Sequence, residues 1–499
     1  MTKTSWIFAL LLLLGAVNII TSYPRMSYTA DEPARIEAGM QLLKTGTLPQ
    51  YNIHPPLAGV VVALPLYMLD KISDNRTLDY MSPREAYLTK IWLTRIGVLP
   101  FYLLSCTIIF IWSRELFGHR AALWSVFSYV TLSAVTAHAG LATTDMIYTA
   151  LFLWALKAGT DWLRHPTNHA SLILGLSLGL MVSAKMSGVV HWPAAMMLIM
   201  AAQTAANWRY ATFLLPVAER HLIRGLFYVF PVGLFVVGLF YHFDYTPFGQ
   251  TFTAVKNLNA SGLAFWMFGP LHNQPLWYFF PVVFFFKTPL PFLVASVIGI
   301  WVIVDHARRP SVQRLFPLLA AYAIVLVSMT SGFNLGVRHA LPLYPLLAIP
   351  AGFAIYLLEK AGGWKRTVGL ALMGWQLVGF VIQHPHHLSY FNELAGAHPE
   401  IISPGSDFDW GQEMIELDEA LQERNIDTIY ACVRRVPSMR ENLRYLLHAQ
   451  TLPCPGHPVS GWIAVSRTER LVYNEHFTWL DGIEAVEPIG TTLDLYYIP

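Results

Sequence analysis

The chain has 499 residues, 55% hydrophobic and only 13% charged, whereas soluble domains carry roughly 25% charge. A formal net charge of +2 implies no nucleic-acid partner, and three cysteines exclude a disulfide scaffold or a zinc cluster of the usual spacing. The composition is that of a polytopic α-helical membrane protein.

A membrane span needs about 20 apolar residues. The first such run, 5–21, is followed by Asn18-Ile-Ile-Thr-Ser-Tyr-Pro24 with no small-residue cleavage site, and is read as an uncleaved first span. Ten more runs follow, at 91–113, 121–139, 146–163, 170–185, 189–206, 224–241, 277–304, 315–331, 340–358 and 367–383. The stretch Leu57 to Leu69 is apolar but short and contains Pro65. It is expected to lie along the interface as a juxtamembrane helix within a long first loop, 22–90.

Lysine and arginine set the sidedness. Alternate connections carry Arg114 and Arg120; Lys157 and Arg164; Arg209, Arg220 and Arg224; Arg308, Arg309 and Arg314; and Lys360, Lys365 and Arg366. With these and Lys3 in the cytoplasm, every other connection and the chain after Gln383 lie outside. The outer side then receives Asp31, Glu32, Arg35 and His54, then Thr143-Thr-Asp145, Lys287, and Asn334-Leu-Gly-Val-Arg338-His339. Ionisable groups gathered at one face indicate a site at the membrane surface. A carrier would set them near mid-bilayer in repeated halves, and no repeat is seen.

From 384 to 499 charge and turn residues rise, and a small α/β extracytoplasmic domain is predicted after the transmembrane domain, 1–383. Met414 to Arg424 has helical spacing. Residues 428–433, 462–466 and 493–498 read as strands. Cys432 and Cys454 can bond if this domain faces an oxidising compartment, while Cys106 reads as packing. His384, His386 and His387 are not read as a metal site, since no Cys or acid lies nearby in sequence.

The outer cluster offers carboxylates (Asp31, Asp145) and cations (Lys287, Arg338) on separate segments. A carboxylate can accept the proton of an attacking hydroxyl, and cations can neutralise a phosphate as leaving-group charge develops. That chemistry suits group transfer from a phospholipid-type donor, and equally hydrolysis of one. The bland alternatives are helix caps at Asp31 and Asp145 and snorkelling at Arg338 and Lys287. Lys185 and Ser187 interrupt an apolar region and are weaker candidates.

Asp31-Glu32-Pro33 followed by His54-Pro55-Pro56-Leu57 resembles the first outer loop of the GT-C glycosyltransferases. The resemblance is to the bacterial family related to protein O-mannosyltransferases and to the aminoarabinose transferases of lipid A. Further matches are Leu141-Ala-Thr-Thr-Asp145, Ser183-Ala-Lys185-Met-Ser187, Phe286-Lys287-Thr-Pro289-Leu-Pro291, Asn334 to Pro345, Leu388 to Gly396, and Asp409-Trp410-Gly411-Gln412. The resemblance implies an inverting sugar transfer from a polyprenyl-phosphate sugar to a protein, glycan or lipid acceptor at the outer face of a bacterial cell membrane. It implies Asp31 as general base, Asp145 beside the sugar or acceptor, and Lys287 and Arg338, with His339, on the donor phosphate. Glu32 is expected to bind acceptor or a divalent cation, and His54 to bind substrate or fix the loop. A flippase of polyprenyl lipids and a hydrolase of another lipid-linked phosphate are the competing readings.

Overall fold

The computed structural model describes residues 3–49, 53–73, 80–207, 221–306, 312–434 and 438–499. Every expected apolar run is helical. Six helices are long and apolar enough to cross a membrane: Lys3–Arg25, Pro83–Phe117, Gly188–Ala206, His221–Phe240, Val312–Met329 and Leu343–Ala361. A seventh candidate is the pair Phe279–Phe286 and Leu290–Asp305, bent by 116°. Pro289 and Pro291 fall at that break, where each removes a backbone donor and helical pairing cannot continue. Length and composition alone thus mark six or seven of the eleven expected crossings among the described residues. The others are shorter, interrupted or charged. Residues 121–139 split into two pieces, His119–Val130 and Ser133–Ala139, and Asp145–Arg164 carries Asp145, Lys157, Asp161 and Arg164. Large apolar side chains such as Trp6, Phe227, Trp301 and Ile382 are exposed, as lipid-facing helix surfaces must be. Of the charges used for sidedness, Arg209, Arg220, Arg308 and Arg309 lie outside the described residues.

Four helices position the outer cluster. α1 (Lys3–Ser22) leads into the first loop, where α2 (Glu32–Thr45) and α3 (Pro56–Ile72) pack side by side. Their crossing is as close as backbones permit: a Cβ on Gly39 would lie 2.0 Å from the Gly59 carbonyl oxygen. α3 is 17 residues long and buries Leu57, Ala58, Val62, Ala63 and Leu66. α4 (Pro83–Ile96) starts with a capping box, Ser82 and Glu85 each accepting from the other's backbone N–H, which satisfies two otherwise orphan donors.

The chain after Gln383 first runs back over the helices. Asn392 donates its backbone N–H to the Phe286 carbonyl and its Nδ2 to the Phe285 and Thr288 carbonyls. It then forms a five-stranded sheet in the order Gln450–Pro453, Thr428–Cys432, Gly461–Ser466, Leu493–Ile498, Glu487–Ile489. The first three strands are parallel and the last two antiparallel to their neighbours. The expected helix is Met414–Glu423. Two short strands and the helices Met439–Tyr445 and Arg467–Val472 were not anticipated, their runs being too brief to carry a period. Cys432 and Cys454 are disulfide-bonded, and Cys106 is a buried free thiol.

Candidate active site

Asp31 occupies the N-cap position of α2 and makes no side-chain cap bond. Its carboxylate instead accepts from Arg338 Nη1 at 2.6 Å. Asp145 opens the helix Asp145–Arg164 and likewise caps nothing through the preceding Thr144. Its Oδ1 accepts from Lys185 Nζ at 2.6 Å, its Oδ2 from Thr143 Oγ1 at 3.2 Å, and Arg338 Nη1 stands 3.9 Å from that same Oδ2. Both capping alternatives therefore fail on geometry. Two carboxylates from distant segments meet across one guanidinium. About a third of the Asp31 side chain is exposed and almost none of Asp145, so Asp31 is the member that a substrate can reach.

Burial, the largest single influence, pushes the Asp31 pKa up, but Arg338, by charge and hydrogen bond, and then Arg35 together pull it down further. The net position is below the ordinary carboxylate value. His54 is held down to about 3 by burial and then by Arg35 and Lys185, so it is a neutral imidazole facing the cluster at neutral pH.

Arg338 is placed by the chain after the spans. Gly336 takes φ +114, and a Cβ there would lie 2.6 Å from Ser406 Oγ and 2.8 Å from Asp407 Oδ1. Asp407 Oδ1 accepts from Val337 N at 2.8 Å, and Ser403 Oγ donates to Asp407 Oδ2. Trp410 lies under the guanidinium, its ring centre 4.3 Å from Arg338 Cζ, and Ala30 N donates to the Trp410 carbonyl. Asp407 to Gln412 thus clamps the first loop and Arg338 together. The Asp409 carboxylate takes Ser466 Oγ at 2.5 Å and Gly411 N at 2.9 Å, so Asp409 anchors the sheet domain to this clamp.

Three expected residues sit differently. Glu32 is fully buried and faces Arg95: its oxygens accept from Arg95 Nε and Nη2, from Thr29 N and from Ala142 N. It faces Arg95 and not the cluster, and it ties Asp31's helix to the turn before Asp145. Lys287 is also buried, its ammonium donating to the Leu388 and Asp407 carbonyls at 2.8 and 2.6 Å. It braces the clamp from behind and does not join the cluster. Lys185, ranked low from sequence, is the cation in direct contact with Asp145. Its sequence signals are the interruption of an apolar region and the match over Ser183 to Ser187. His339 packs against Phe333 and Phe280.

Among the described residues, Arg338 Nε and His339 Nε2 are buried without a hydrogen-bond partner. A buried donor left unpaired costs about 1–3 kcal/mol, so Arg338 Nε, and His339 Nε2 in its protonated tautomer, keep hydrogen-bonding capacity unused. His339, Ser187, Phe280 and Ser328 line a cavity of about 250 Å³. Phe280 and Ser328 also line an apolar groove of about 580 Å³ beside Pro281, Phe284, Leu319 and Leu347. Small cavity and apolar groove thus share a wall, and His339 and Ser187 in the cavity lining are close in sequence to Arg338 and Lys185 of the cluster. No group of three or more His, Cys, Asp or Glu suited to a metal occurs among the described residues.

Residues 88–232 match the family model described as dolichyl-phosphate-mannose-protein mannosyltransferase. The fold resembles ArnT from Cupriavidus metallidurans bound to undecaprenyl phosphate (TM-score 0.52, 14% identity, covering 99% of this chain and 98% of that one). It also resembles the archaeal oligosaccharyltransferase AglB from Archaeoglobus fulgidus in complex with an inhibitory peptide and a dolichol-phosphate (TM-score 0.53, 11% identity, covering 100% and 74%). No curated protein matches the sequence. The chain is a multi-pass membrane protein whose fold resembles those of ArnT and AglB, with a small C-terminal sheet domain.

Proposed function

We propose that this protein is an inverting glycosyltransferase that moves a sugar from a polyprenyl-phosphate-linked donor to an acceptor at the outer face of a bacterial cell membrane, with Asp31 as general base. The observation that carries the reading is the convergence of Asp31, Asp145, Lys185 and Arg338, with an apolar groove of about 580 Å³ sharing Phe280 and Ser328 with the cavity that His339 lines. The matched mannosyltransferase model and the polyprenyl phosphates held by two structurally similar proteins support the same donor class.

The donor tail would lie in the groove and its phosphate against Lys185, Arg338 Nε and His339 Nε2. The acceptor oxygen attacks the anomeric carbon from the side opposite the phosphate, and its proton passes to an Asp31 oxygen. The bond from that carbon to the phosphate oxygen breaks, and the electron pair leaves with the phosphate. That anion needs no general acid, and its charge is met by cations already in place. Arriving phosphate shares Arg338 with Asp31, weakening the grip on the carboxylate and making it a better base. Asp145 holds Lys185 in position, and Lys287 positions the clamp. This differs from the sequence expectation, in which Lys287 touched phosphate.

The outward reading takes one further helix, too charged to count by composition alone, as a crossing. Asp145 and Arg164 stand at opposite ends of a 20-residue helix, about 30 Å apart at 1.5 Å per residue, which is the hydrocarbon thickness. With Lys157 and Arg164 cytoplasmic, the cluster is outside. The Cys432–Cys454 bond favours an oxidising compartment for the sheet domain.

The test is Asp31→Asn in protein that still binds polyprenyl phosphate. Turnover should fall by roughly 10²–10⁴-fold. A flippase would keep moving lipid in this variant, and a hydrolase would release sugar with no acceptor present; either result rejects the transfer mechanism.

A further inference from the structure

The sheet domain has a crevice of its own, which the proposed transfer chemistry does not use. Its three parallel strands run in the order Gln450–Pro453, Thr428–Cys432, Gly461–Ser466. The chain leaves the middle strand for one neighbour and then crosses to the other. In such sheets ligands settle outside the carboxyl ends of the strands, where the winding direction changes. A cavity of about 340 Å³ lies there, lined by Arg434, Pro453, Pro455, Glu469, Tyr473 and His476 among others.

Its polar groups are matched for hydroxyls. Arg434 Nε is buried with no hydrogen-bond partner among the described residues. Arg434 Nη1 approaches Glu469 Oε1 at only 3.7 Å, so a donor and an acceptor sit side by side with their charges mutually offset. Tyr473 and His476 are both exposed at the rim, ring centres 6.1 Å apart. An isolated anion would meet Glu469 and gain little, whereas a neutral polyol can accept from Nε, donate to the carboxylate and lay its C–H face on an aromatic ring. A few convergent polar groups in a largely apolar recess is the common form of a small-molecule site.

We propose that this crevice binds a neutral saccharide. That the bound glycan is the acceptor rests on the transferase reading; the binding itself does not. The crevice is joined to the cluster through a short path. Ser466, at the end of the third parallel strand, donates to Asp409, and the next residue, Trp410, stacks on Arg338. A glycan seated here is held on the element that positions the reactive arginine.

The experiment is saturation-transfer NMR on the full-length protein in nanodiscs with mannotriose, cellotriose and chitotriose as probes. At least one should bind with a Kd on the order of 1 mM, as suits a site with few contacts. Tyr473→Ala, at an exposed position, and Arg434→Gln should each weaken that binding by about tenfold, equivalent to one lost hydrogen bond or stacking contact. Asp31→Asn should bind like the wild type. Absence of binding by all three probes, or binding unaffected by both crevice variants, overturns the assignment. Because no transfer is measured, a failure of the general-base mechanism leaves the result readable. If transfer occurs, the bound triose should serve as acceptor, with KM raised and kcat retained in Tyr473→Ala; an unchanged KM removes the acceptor assignment.

Discussion

Replacing Arg338 by Gln tests whether Asp31 is the base and Arg338 its electrostatic partner. Arg338 Nη1 contacts Asp31 Oδ2 at 2.6 Å, and after burial it is the leading influence on that carboxyl, drawing its pKa below the ordinary value. A hydrogen bond to a charged group is worth roughly 1.5–3 kcal/mol. With about a third of the Asp31 side chain in solvent, screening favours the lower end, near 1.5 kcal/mol, or about one pH unit. The base acts only when ionised, so in the wild type the acid limb of kcat/KM lies below the usual carboxylate range. In Arg338→Gln the limb should move up by about one unit. The assay is initial rate of transfer from a polyprenyl-phosphate sugar, at subsaturating donor, across the acidic range. Rates will also fall because a phosphate contact is lost, so the position of the limb carries the test and its height does not. An acid limb that stays in place while Asp31→Asn remains inactive would refute the pairing as the control on basicity.

Other consequences concern the parts that hold the cluster. Gly336→Ala forces a side chain into φ +114 against Asp407, a strain of about 1–3 kcal/mol; transfer should drop while the thermal transition moves only slightly, and equal loss of both would mean that the turn is merely structural. Asp145→Asn strands the buried Lys185 ammonium and should destabilise by about 3–5 kcal/mol, with Lys185→Met in the same chain recovering much of the stability and none of the activity; melting temperature and turnover separate the two. His386 sits against Glu413 and Glu416 at 3.3 and 3.5 Å. Burial lowers its pKa but the two carboxylates more than reverse this, so the net shift is upward. Burial also raises Glu416 to about 7. Both groups bind more protons folded than unfolded, so their stabilisation is present below about pH 4.5 for Glu416 and about 6.5 for His386 and is lost as pH rises through the folded values. Thermal stability should therefore decline as pH rises from about 4.5 through neutrality, and His386→Gln should flatten the part above about 6.5; a rising curve would contradict it.

The membrane class, the helical runs and the sheet domain are legible in the sequence because each depends on local composition or a short period. So are Asp31, Asp145 and Arg338 as candidates, since charge beside an apolar run is costly and therefore conspicuous. What their side chains face is another matter. Glu32 adjoins Asp31 and looks equivalent, yet one helical position turns it onto Arg95 and leaves Asp31 on the cluster. The sequence favours Lys287 over Lys185, though both read as cations in apolar surroundings. Two backbone carbonyls from residues 101 and 120 positions away claim the first, and a carboxylate 40 positions away claims the second. Trp410's place under Arg338, and the crevice at the strand ends, depend on how the C-terminal chain folds back over the helices. Hydrophobic burial is non-directional and can be read from residue type; hydrogen bonds and ion pairs are short-ranged and directional, so which polar group meets which was decided only once the distant segments had packed.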